Sequence, residues 1–247
     1  MRYFIDISYH GLNYHGWQIQ PDAISVQQVL ERTVSTLLRE EIKVTGAGRT
    51  DTGVHARQLM AHFDCENELE MDEFKFRINS FLPKDIAVNK VHRVKDDAHA
   101  RFDATSREYQ YFVHLKKDPF LQETSFLLHS PPDISRMNYA ATLLLGHQDF
   151  QCFSRSNTDV KTYYCDVKKA AWEQNNDQLV FTIEADRFLR NMVRAVVGTL
   201  LDIGWSKSSL EDLKETIDSK DRSKAGASAP AHGLFLTKVE YPKSIFI

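Results

Sequence analysis

The sequence of 247 residues contains little cysteine and no long apolar run. Its three cysteines, Cys65, Cys152 and Cys165, are odd in number and widely spaced, so they form neither a disulfide framework nor a zinc motif and are expected to be reduced. The longest apolar stretch, residues 195–203, is interrupted by polar residues and is far shorter than the ~20 residues of a membrane span. Asp6 comes too early in the sequence for a signal peptide. We therefore expect a cytoplasmic protein that does not bind membranes.

The sequence also lacks a large excess of charge of either sign. Lysine and arginine total 31 against 34 aspartates and glutamates, which gives a formal net charge of −3 with histidine neutral. This balance excludes a globally basic nucleic-acid coat but is compatible with a local basic groove. The 10 histidines are scattered, with no H-E-x-x-H motif and no paired cysteines, so we expect no bound metal.

The apolar pattern predicts a similar order of elements in the two halves of the chain. In the first half the order is βαββαβ, with helices capped by Ser25 and Asp72 and strands at residues 2–9, 42–46, 58–64 and 86–94. The second half repeats this order with one added helix; its strands are expected at residues 107–115, 163–172, 179–185 and 234–241, and its helices at residues 134–145, 189–201 and 209–218. We therefore predict an α+β fold of two tandem ferredoxin-like (βαββαβ) halves, residues 1–98 and 99–247. The halves are expected to be pseudo-symmetric, with antiparallel sheets, helices outside and a central active-site cleft.

The segment Gly46–Ala56 carries the strongest local signal for a functional site. Three glycines within eight residues permit positive φ angles and a close approach of the backbone to a ligand, and Arg49 and Asp51 lie among them. The glycine spacing does not fit a dinucleotide fingerprint, and the segment contains no Gly-Lys-Ser/Thr of a Walker loop. The composition leaves two interpretations open, a ligand-binding loop and a tight turn braced by an Arg–Asp pair.

A group of arginines marks the start of the last long helical pattern. Arg187, Arg190 and Arg194 have helical spacing and are predicted to share one face of that helix. The helix dipole disfavours cations at this end, so the cluster indicates a phosphate or carboxylate partner. The alternative is an ordinary solvated helix face.

Aromatic and basic residues also occur together at the start of the second half. Tyr109 and Tyr111 alternate on a strand beside Arg101 and Arg107, an arrangement that suits base stacking and phosphate contact. The alternative is that both tyrosines are core or half-buried strand residues, and this structural interpretation is preferred for Tyr111.

Several sequence blocks, in an order that spans nearly the whole chain, carry a resemblance to a known family. They are Tyr9–Gln18, Gly48–Ala56, Asn79–Val88, His99–Tyr111, Phe188–Arg194 and Gly233–Leu236. Together they resemble the TruA family of tRNA pseudouridine synthases. Two positions depart from the family pattern: Thr52, where the family often has Ala, and Lys84, where Gly is common.

This resemblance implies an isomerase that converts uridines 38–40 of the tRNA anticodon stem-loop to pseudouridine, as a homodimer and without cofactor or metal. Asp51 would be the nucleophile, and attack at C6 of the uracil and at C1′ of the ribose both remain open. Arg194 would pair with Asp51, and Tyr109 would stack on the target base. Arg49 would fill the space left by that base or hold a phosphate, and the RNA side would be lined by Arg57, Arg101, Arg107, Arg187 and Arg190.

Two other functions remain open at this stage. A non-catalytic RNA-binding protein of two ferredoxin-like units would need the stacking tyrosines and the basic side chains, but not an Asp–Arg pair. An Asp-dependent hydrolase of a small substrate would have no use for the arginine cluster.

Overall fold

The computed structural model describes residues 1–155 and 160–247. In these residues the protein has a mixed α/β fold with five α-helices and mostly antiparallel strands. The strands are β1 (Arg2–Tyr9), β2 (Thr45–Gly46), β3 (His55–Asp64), β4 (Ile86–Val94), β5 (Ser106–His114), β6 (Phe126–Leu127), β7 (Gly146–Asp149), β8 (Tyr164–Asn175), β9 (Gln178–Ala185) and β10 (Leu234–Glu240). The helices are α1 (Val26–Leu38), α2 (Met71–Phe81), α3 (Ile134–Thr142), α4 (Met192–Gly204) and α5 (Leu210–Ser219).

The chain divides into two compact units. Unit 1 consists of Met1–Ser106 together with Leu236–Ile247, and unit 2 consists of Arg107–Phe235. These bounds differ from the predicted halves, residues 1–98 and 99–247, at the linking segment and at the last strand. A split of the sequence at one point cannot produce a unit built from two separated segments.

Hydrogen bonds explain why the linking segment and the last strand belong to unit 1. The Thr105 N–H donates to the Glu240 carbonyl oxygen over 2.8 Å. The Tyr241 hydroxyl donates to the Ala100 carbonyl oxygen over 2.6 Å. Residues far apart in sequence therefore complete the first unit together.

The sheet of unit 1 has the strand order β4-β1-β3-β10, and β2 also pairs with β3. β1 is antiparallel to both β3 and β4. Tyr3, Ile5 and Ile7 on β1 are each at most 1% exposed, which confirms the predicted strand and its buried face. The prediction that the strand is half-buried is wrong, because Phe4 and Asp6 between them are buried as well. The ring of Phe74 on α2 lies 5.8 Å from that of Phe63 on β3, so this helix packs against the sheet.

The helix starts of unit 1 test the predicted N-caps. The Ser25 side chain accepts a hydrogen bond from the Gln28 N–H, as predicted. The prediction for Asp72 is wrong, because α2 begins at Met71 and its N-cap is Glu70, whose carboxylate accepts the Glu73 N–H over 2.6 Å. Asp72 lies in the first turn instead, where a negative charge is favourable to the helix dipole.

Unit 2 contains an antiparallel sheet with the order β5-β9-β8-β7, to which β6 adds in parallel beside β5. Helix α4 forms much of its core, since 11 of its 13 residues are buried. Helix α5, predicted as an addition to the repeat, begins with a reciprocal capping box between Ser209 and Asp212.

A buried histidine in unit 1 makes the stability of this protein depend on pH. His62 on β3 is 6% exposed, and its Nδ1 accepts the Ala100 N–H over 3.1 Å. Burial, helped by the charges of Arg2 and His99, lowers the pKa of His62 from 6.5 to about 4. The folded protein therefore keeps this imidazole neutral in a pH range where the unfolded chain takes up a proton.

We expect the contribution of His62 to stability to be complete above pH 6.5 and to be lost as the pH falls towards 4. With these pKa values, the loss is about 2 kcal/mol at pH 5. Urea unfolding of the wild type and of His62→Gln at pH 7 and pH 5 measures it, because the variant keeps the other titrating groups. An equal loss of stability in both proteins would contradict the prediction.

Candidate active site

Asp51 lies in the loop of unit 1 that joins β2 to β3. Its side chain is half-buried, whereas Arg49 and Thr52 are exposed. The Val54 N–H donates to the Asp51 carbonyl oxygen over 3.1 Å, and Gly53 has a φ of 78°, so the chain turns directly after Asp51. The loop is therefore a tight turn that leaves the Asp51 carboxylate partly accessible.

A second loop of unit 1, residues 10–17, holds the Asp51 turn from both sides. The Trp17 N–H donates to the carbonyl oxygen of Thr50, and the Gly53 N–H donates to the carbonyl oxygen of Tyr14, each over 3.3 Å. The hydroxyl groups of Tyr9 and Thr50 are also hydrogen-bonded over 2.8 Å, and both residues are buried. The backbone before and after Asp51 is therefore fixed by residues 9–17.

Two glycines allow these loops to approach each other closely. Gly16 has a φ of 81°, and a Cβ atom there would lie 2.2 Å from the Thr50 carbonyl oxygen. A Cβ atom at Gly11 would lie 1.9 Å from the Val54 carbonyl oxygen. The Gly11 N–H also donates over 2.9 Å to Nδ1 of His55, which is fully buried. The blocks at residues 9–18 and 48–56 are therefore in direct contact in the structure.

In unit 2, strand β5 carries the two tyrosines in different environments. Tyr109 is half-buried, and its ring lies edge-on to that of Phe188, with 5.1 Å between the centroids. Tyr111 is fully buried, its hydroxyl donates to the Pro230 carbonyl oxygen over 2.9 Å, and burial raises its pKa. The structural interpretation of Tyr111 is confirmed, which leaves Tyr109 as the tyrosine of this pair with part of its side chain accessible.

Arg194 lies in the first turn of α4. Its Nε–H donates to the Ala229 carbonyl oxygen over 2.7 Å, and the Ala229 N–H donates to the Arg194 carbonyl oxygen over 2.9 Å. Asn191 is the N-cap of α4 and has a φ of 67°. Its side-chain amide donates to Ser228 Oγ over 2.7 Å. The segment around residues 228–229 therefore sets the orientation of the Arg194 guanidinium.

The predicted arginine face of the helix is wrong. Because α4 begins at Met192, Arg187 and Arg190 precede it and do not share a helix face with Arg194. The Asp186 carboxylate accepts the Arg187 N–H over 2.7 Å, which competes with helix formation. The left-handed backbone of Asn191 then breaks any continuation of the helix towards the N-terminus.

The other predicted substrate-binding arginines differ in their surroundings. Arg107 donates from Nη1 to the Asp186 carbonyl oxygen over 2.7 Å and so braces the turn that follows β9. Arg101 is exposed, and its guanidinium carbon lies 5.6 Å from the centre of the Phe102 ring. Arg57 and Arg190 are also exposed.

The part of the chain that the structure describes holds no group of three or more His, Cys, Asp or Glu side chains placed to bind a metal ion. Within the same residues, no helix is both long enough and apolar enough to cross a membrane.

Comparison with known proteins shows the family of this chain. A family model described as tRNA pseudouridine synthase matches residues 7–103, which contain the Asp51 loop, and residues 140–242, which contain Arg194. The chain belongs to the tRNA pseudouridine synthases. Such an enzyme is an isomerase, because uridine and pseudouridine contain the same atoms and differ in the base atom bonded to C1′.

Individual tRNA pseudouridine synthases match this chain over its full length. The protein named tRNA pseudouridine synthase A from Bacteroides fragilis is 52% identical over 247 residues, which cover 99% of this chain and 98% of that protein. Its namesake from Porphyromonas gingivalis is 48% identical, covering 100% and 99% of the two chains. The namesake from Exiguobacterium sibiricum is 35% identical, covering 98% of each. The resemblance found in the sequence is thereby confirmed.

Sequence reasoning missed the residues that hold the Asp51 turn. Tyr9, Tyr14 and Thr50 were not candidates, and neither was Asp85, which bonds to Tyr14. The available signal was their membership of the blocks that resemble the tRNA pseudouridine synthases. Those blocks contain the residues that hold the Asp51 turn.

Proposed function

We propose that this pseudouridine synthase acts on uridines 38–40 in the anticodon stem-loop of tRNA, with Asp51 as its nucleophile. The observation that carries the proposal is the rigid turn around Asp51, held on both sides by residues 9–17 while the carboxylate stays partly accessible. A nucleophile must meet one carbon atom at a defined distance, and a fixed backbone supplies that condition.

The chemistry requires an ionised carboxylate and no net change in atoms. Asp51 attacks either C6 of the uracil or C1′ of the ribose, and the bond between N1 and C1′ breaks. The base turns and C5 bonds to C1′. The aspartate leaves at this step if it attacked C1′, and leaves together with the C5 proton if it attacked C6. The proton on C5 is then removed and N1 is protonated, which restores the aromatic base as pseudouridine.

Arg194 and Tyr109 complete the proposed site. Arg194 would pair with Asp51, which keeps the carboxylate ionised, and the bond to Ala229 that orients its guanidinium supports this role. Tyr109 would stack on the uracil, and the partly accessible side chain supports this. We propose that the two halves predicted from the sequence, residues 1–98 and 99–247, are ferredoxin-like.

The target uridine must leave its helix or loop before it reaches Asp51, at a cost of a few kcal/mol. Arg49, two residues before the proposed nucleophile, would fill the vacated space or hold a phosphate, and its exposure supports this role. The phosphate contacts are assigned to the arginines Arg57, Arg101, Arg107, Arg187 and Arg190. We further propose that the enzyme works in the cytoplasm as a homodimer and without cofactor or metal.

Tritium release from tRNA labelled with [5-³H]uridine tests the function directly. A synthase releases tritium because C5 loses its hydrogen when it joins C1′. A non-catalytic RNA-binding protein binds the tRNA and releases none, and an Asp-dependent hydrolase releases none either. Mapping of pseudouridine in the product tRNA then tests positions 38–40.

The proposed phosphate contacts predict a change in the salt dependence of binding. Arg187→Ala and Arg190→Ala should each weaken tRNA binding and reduce the slope of log K against log salt by about one unit. Filter binding over a salt series measures the slope. Lys75→Ala is the control, because Lys75 forms an ion pair with Asp72 on α2 and is assigned no RNA contact. Unchanged slopes would show that these arginines are solvated surface residues.

A further inference from the structure

Asp85 in unit 1 binds the loop at residues 10–17 through three of its atoms. Its carbonyl oxygen accepts the His10 N–H over 2.9 Å. Its Oδ1 accepts the Tyr14 hydroxyl over 2.7 Å, and its Oδ2 accepts the Asn13 side-chain amide over 3.2 Å. Asp85, immediately before β4, therefore fixes the beginning and the middle of a loop that lies more than 70 residues earlier in the sequence.

Tyr14 connects Asp85 to the turn that carries Asp51. Tyr14 is 5% exposed, and its carbonyl oxygen accepts the Gly53 N–H over 3.3 Å. Burial, followed by the hydrogen bond to Asp85, raises the pKa of the Tyr14 hydroxyl, so this group stays protonated and donates to the carboxylate. The path from Asp85 to the Asp51 turn thus consists of one charge-assisted hydrogen bond, one tyrosine and one backbone hydrogen bond.

We propose that Asp85 is a positioning residue for Asp51. Its carboxylate holds Tyr14, and Tyr14 holds the turn that aims the Asp51 carboxylate. The proposal rests on the function of Asp51 proposed above. Asp85 itself is not assigned to touch the RNA; it acts through Tyr14.

The reaction rate is sensitive to the position of Asp51 because covalent attack requires the carboxylate to meet the carbon atom at a defined distance and angle. A displacement of about 1 Å at a reacting group costs up to roughly 100-fold in rate. A loop is held less firmly than a helix or strand, and the Asp51 turn depends on bonds to residues 9–17 for its position. Loss of the anchor at Asp85 releases this second loop and with it the turn.

The test is single-turnover conversion of tRNA, with the tRNA dissociation constant measured separately. Asp85→Ala should lower the rate by roughly 10- to 100-fold and leave the dissociation constant unchanged, since the arginines assigned to phosphates remain. Tyr14→Phe keeps the ring but removes the donor, and should show a loss of similar size. Asp85→Asn keeps an oxygen that accepts the Tyr14 hydroxyl, and should retain most of the rate.

The double variant Asp85→Ala with Tyr14→Phe should be no slower than the worse of the single variants, because both remove the same hydrogen bond. Asp72→Ala is the matched control. Asp72 is an exposed carboxylate of unit 1 on α2, paired with Lys75, and its removal should not change the rate.

Three results would overturn the proposal: an unchanged rate in Asp85→Ala, equal losses in Asp85→Asn and Asp85→Ala, or a loss confined to tRNA binding. If Asp85→Ala does not fold, Tyr14→Phe and Asp85→Asn still test the positioning role, since each changes fewer atoms. Asp51→Asn in the same assay distinguishes failure of the proposed nucleophile from failure of the positioning role of Asp85. Turnover in that variant refutes the nucleophile, whereas a normal rate in Asp85→Ala refutes only the positioning role.

Discussion

Asp51→Asn should abolish pseudouridine formation while tRNA binding stays close to that of the wild type. The substitution keeps the size of the side chain and a hydrogen-bonding oxygen but removes the anionic nucleophile. Without a covalent step, we expect the rate to fall by on the order of 10⁴-fold or more. Binding is retained because affinity comes mainly from phosphate contacts, which this change leaves in place. Tritium release and filter binding measure the two quantities.

The structure permits this substitution without disturbing its surroundings. The hydrogen bond that closes the turn uses the Asp51 carbonyl oxygen, which asparagine also has. Asp72→Asn, at an exposed position of α2 in the same unit, serves as the control for removal of one carboxylate and should turn over normally. A rate in Asp51→Asn above a tenth of the wild-type value would refute the assignment of the nucleophile.

Tyr109→Phe should bind tRNA well but stall after the base has joined C1′ through C5. The ring that stacks is kept, whereas the hydroxyl is lost. We propose that this hydroxyl has a second role beside stacking, as the group through which the C5 proton leaves. General acid–base groups contribute about 10²- to 10⁴-fold, so a loss of that size is expected in the rate at which the C5 proton is lost. The C5-linked intermediate should accumulate, joined covalently to Asp51 if the attack was at C6. Single-turnover kinetics with gel analysis of trapped RNA measures it. A variant with near-normal turnover would show that Tyr109 only stacks.

Tyr111→Phe is the matched control on the same strand. Tyr111 is fully buried and its hydroxyl bonds to the Pro230 carbonyl oxygen, so its removal should cost about 1 kcal/mol of stability and leave the rate nearly unchanged. Tyr109→Ala should lose roughly 1–3 kcal/mol of stacking in addition to the hydroxyl. The assignment of the two tyrosines is wrong if Tyr111→Phe is the slower enzyme.

Sequence periodicity predicted those elements of the fold that have a local signature. Strand β1 and the cap at Ser25 were predicted because the period of a strand and the side chain of a cap are visible within a few residues. The start of α4 was not found. Its apolar and basic spacing continues back to Arg187, but the Asp186 carboxylate and the left-handed Asn191 take those residues out of the helix. Side-chain bonds of this kind override a regular pattern.

The candidate site was predicted only as far as residue chemistry allows. Asp51 stood out because of its glycine-rich surroundings, and Tyr111 was separated from Tyr109 by its expected burial. The bond between Tyr14 and Asp85 joins positions 71 apart, and no local pattern marks such a pair. The composition of unit 1 from two separated segments was also missed, because hydrogen bonds between distant parts of the chain have no period in the sequence.

The division of unit 1 between two segments has a consequence for its synthesis. A ribosome must translate the whole of residues 107–235 after the first segment before it makes Leu236–Ile247, which supply most of β10 beside β3. Domains commonly fold as units while the nascent chain grows, the N-terminal one first. In the unit that carries Asp51, the edge of β3 that pairs with β10 therefore stays open until these residues have left the ribosome. Unit 2, continuous in sequence, is free to fold before it.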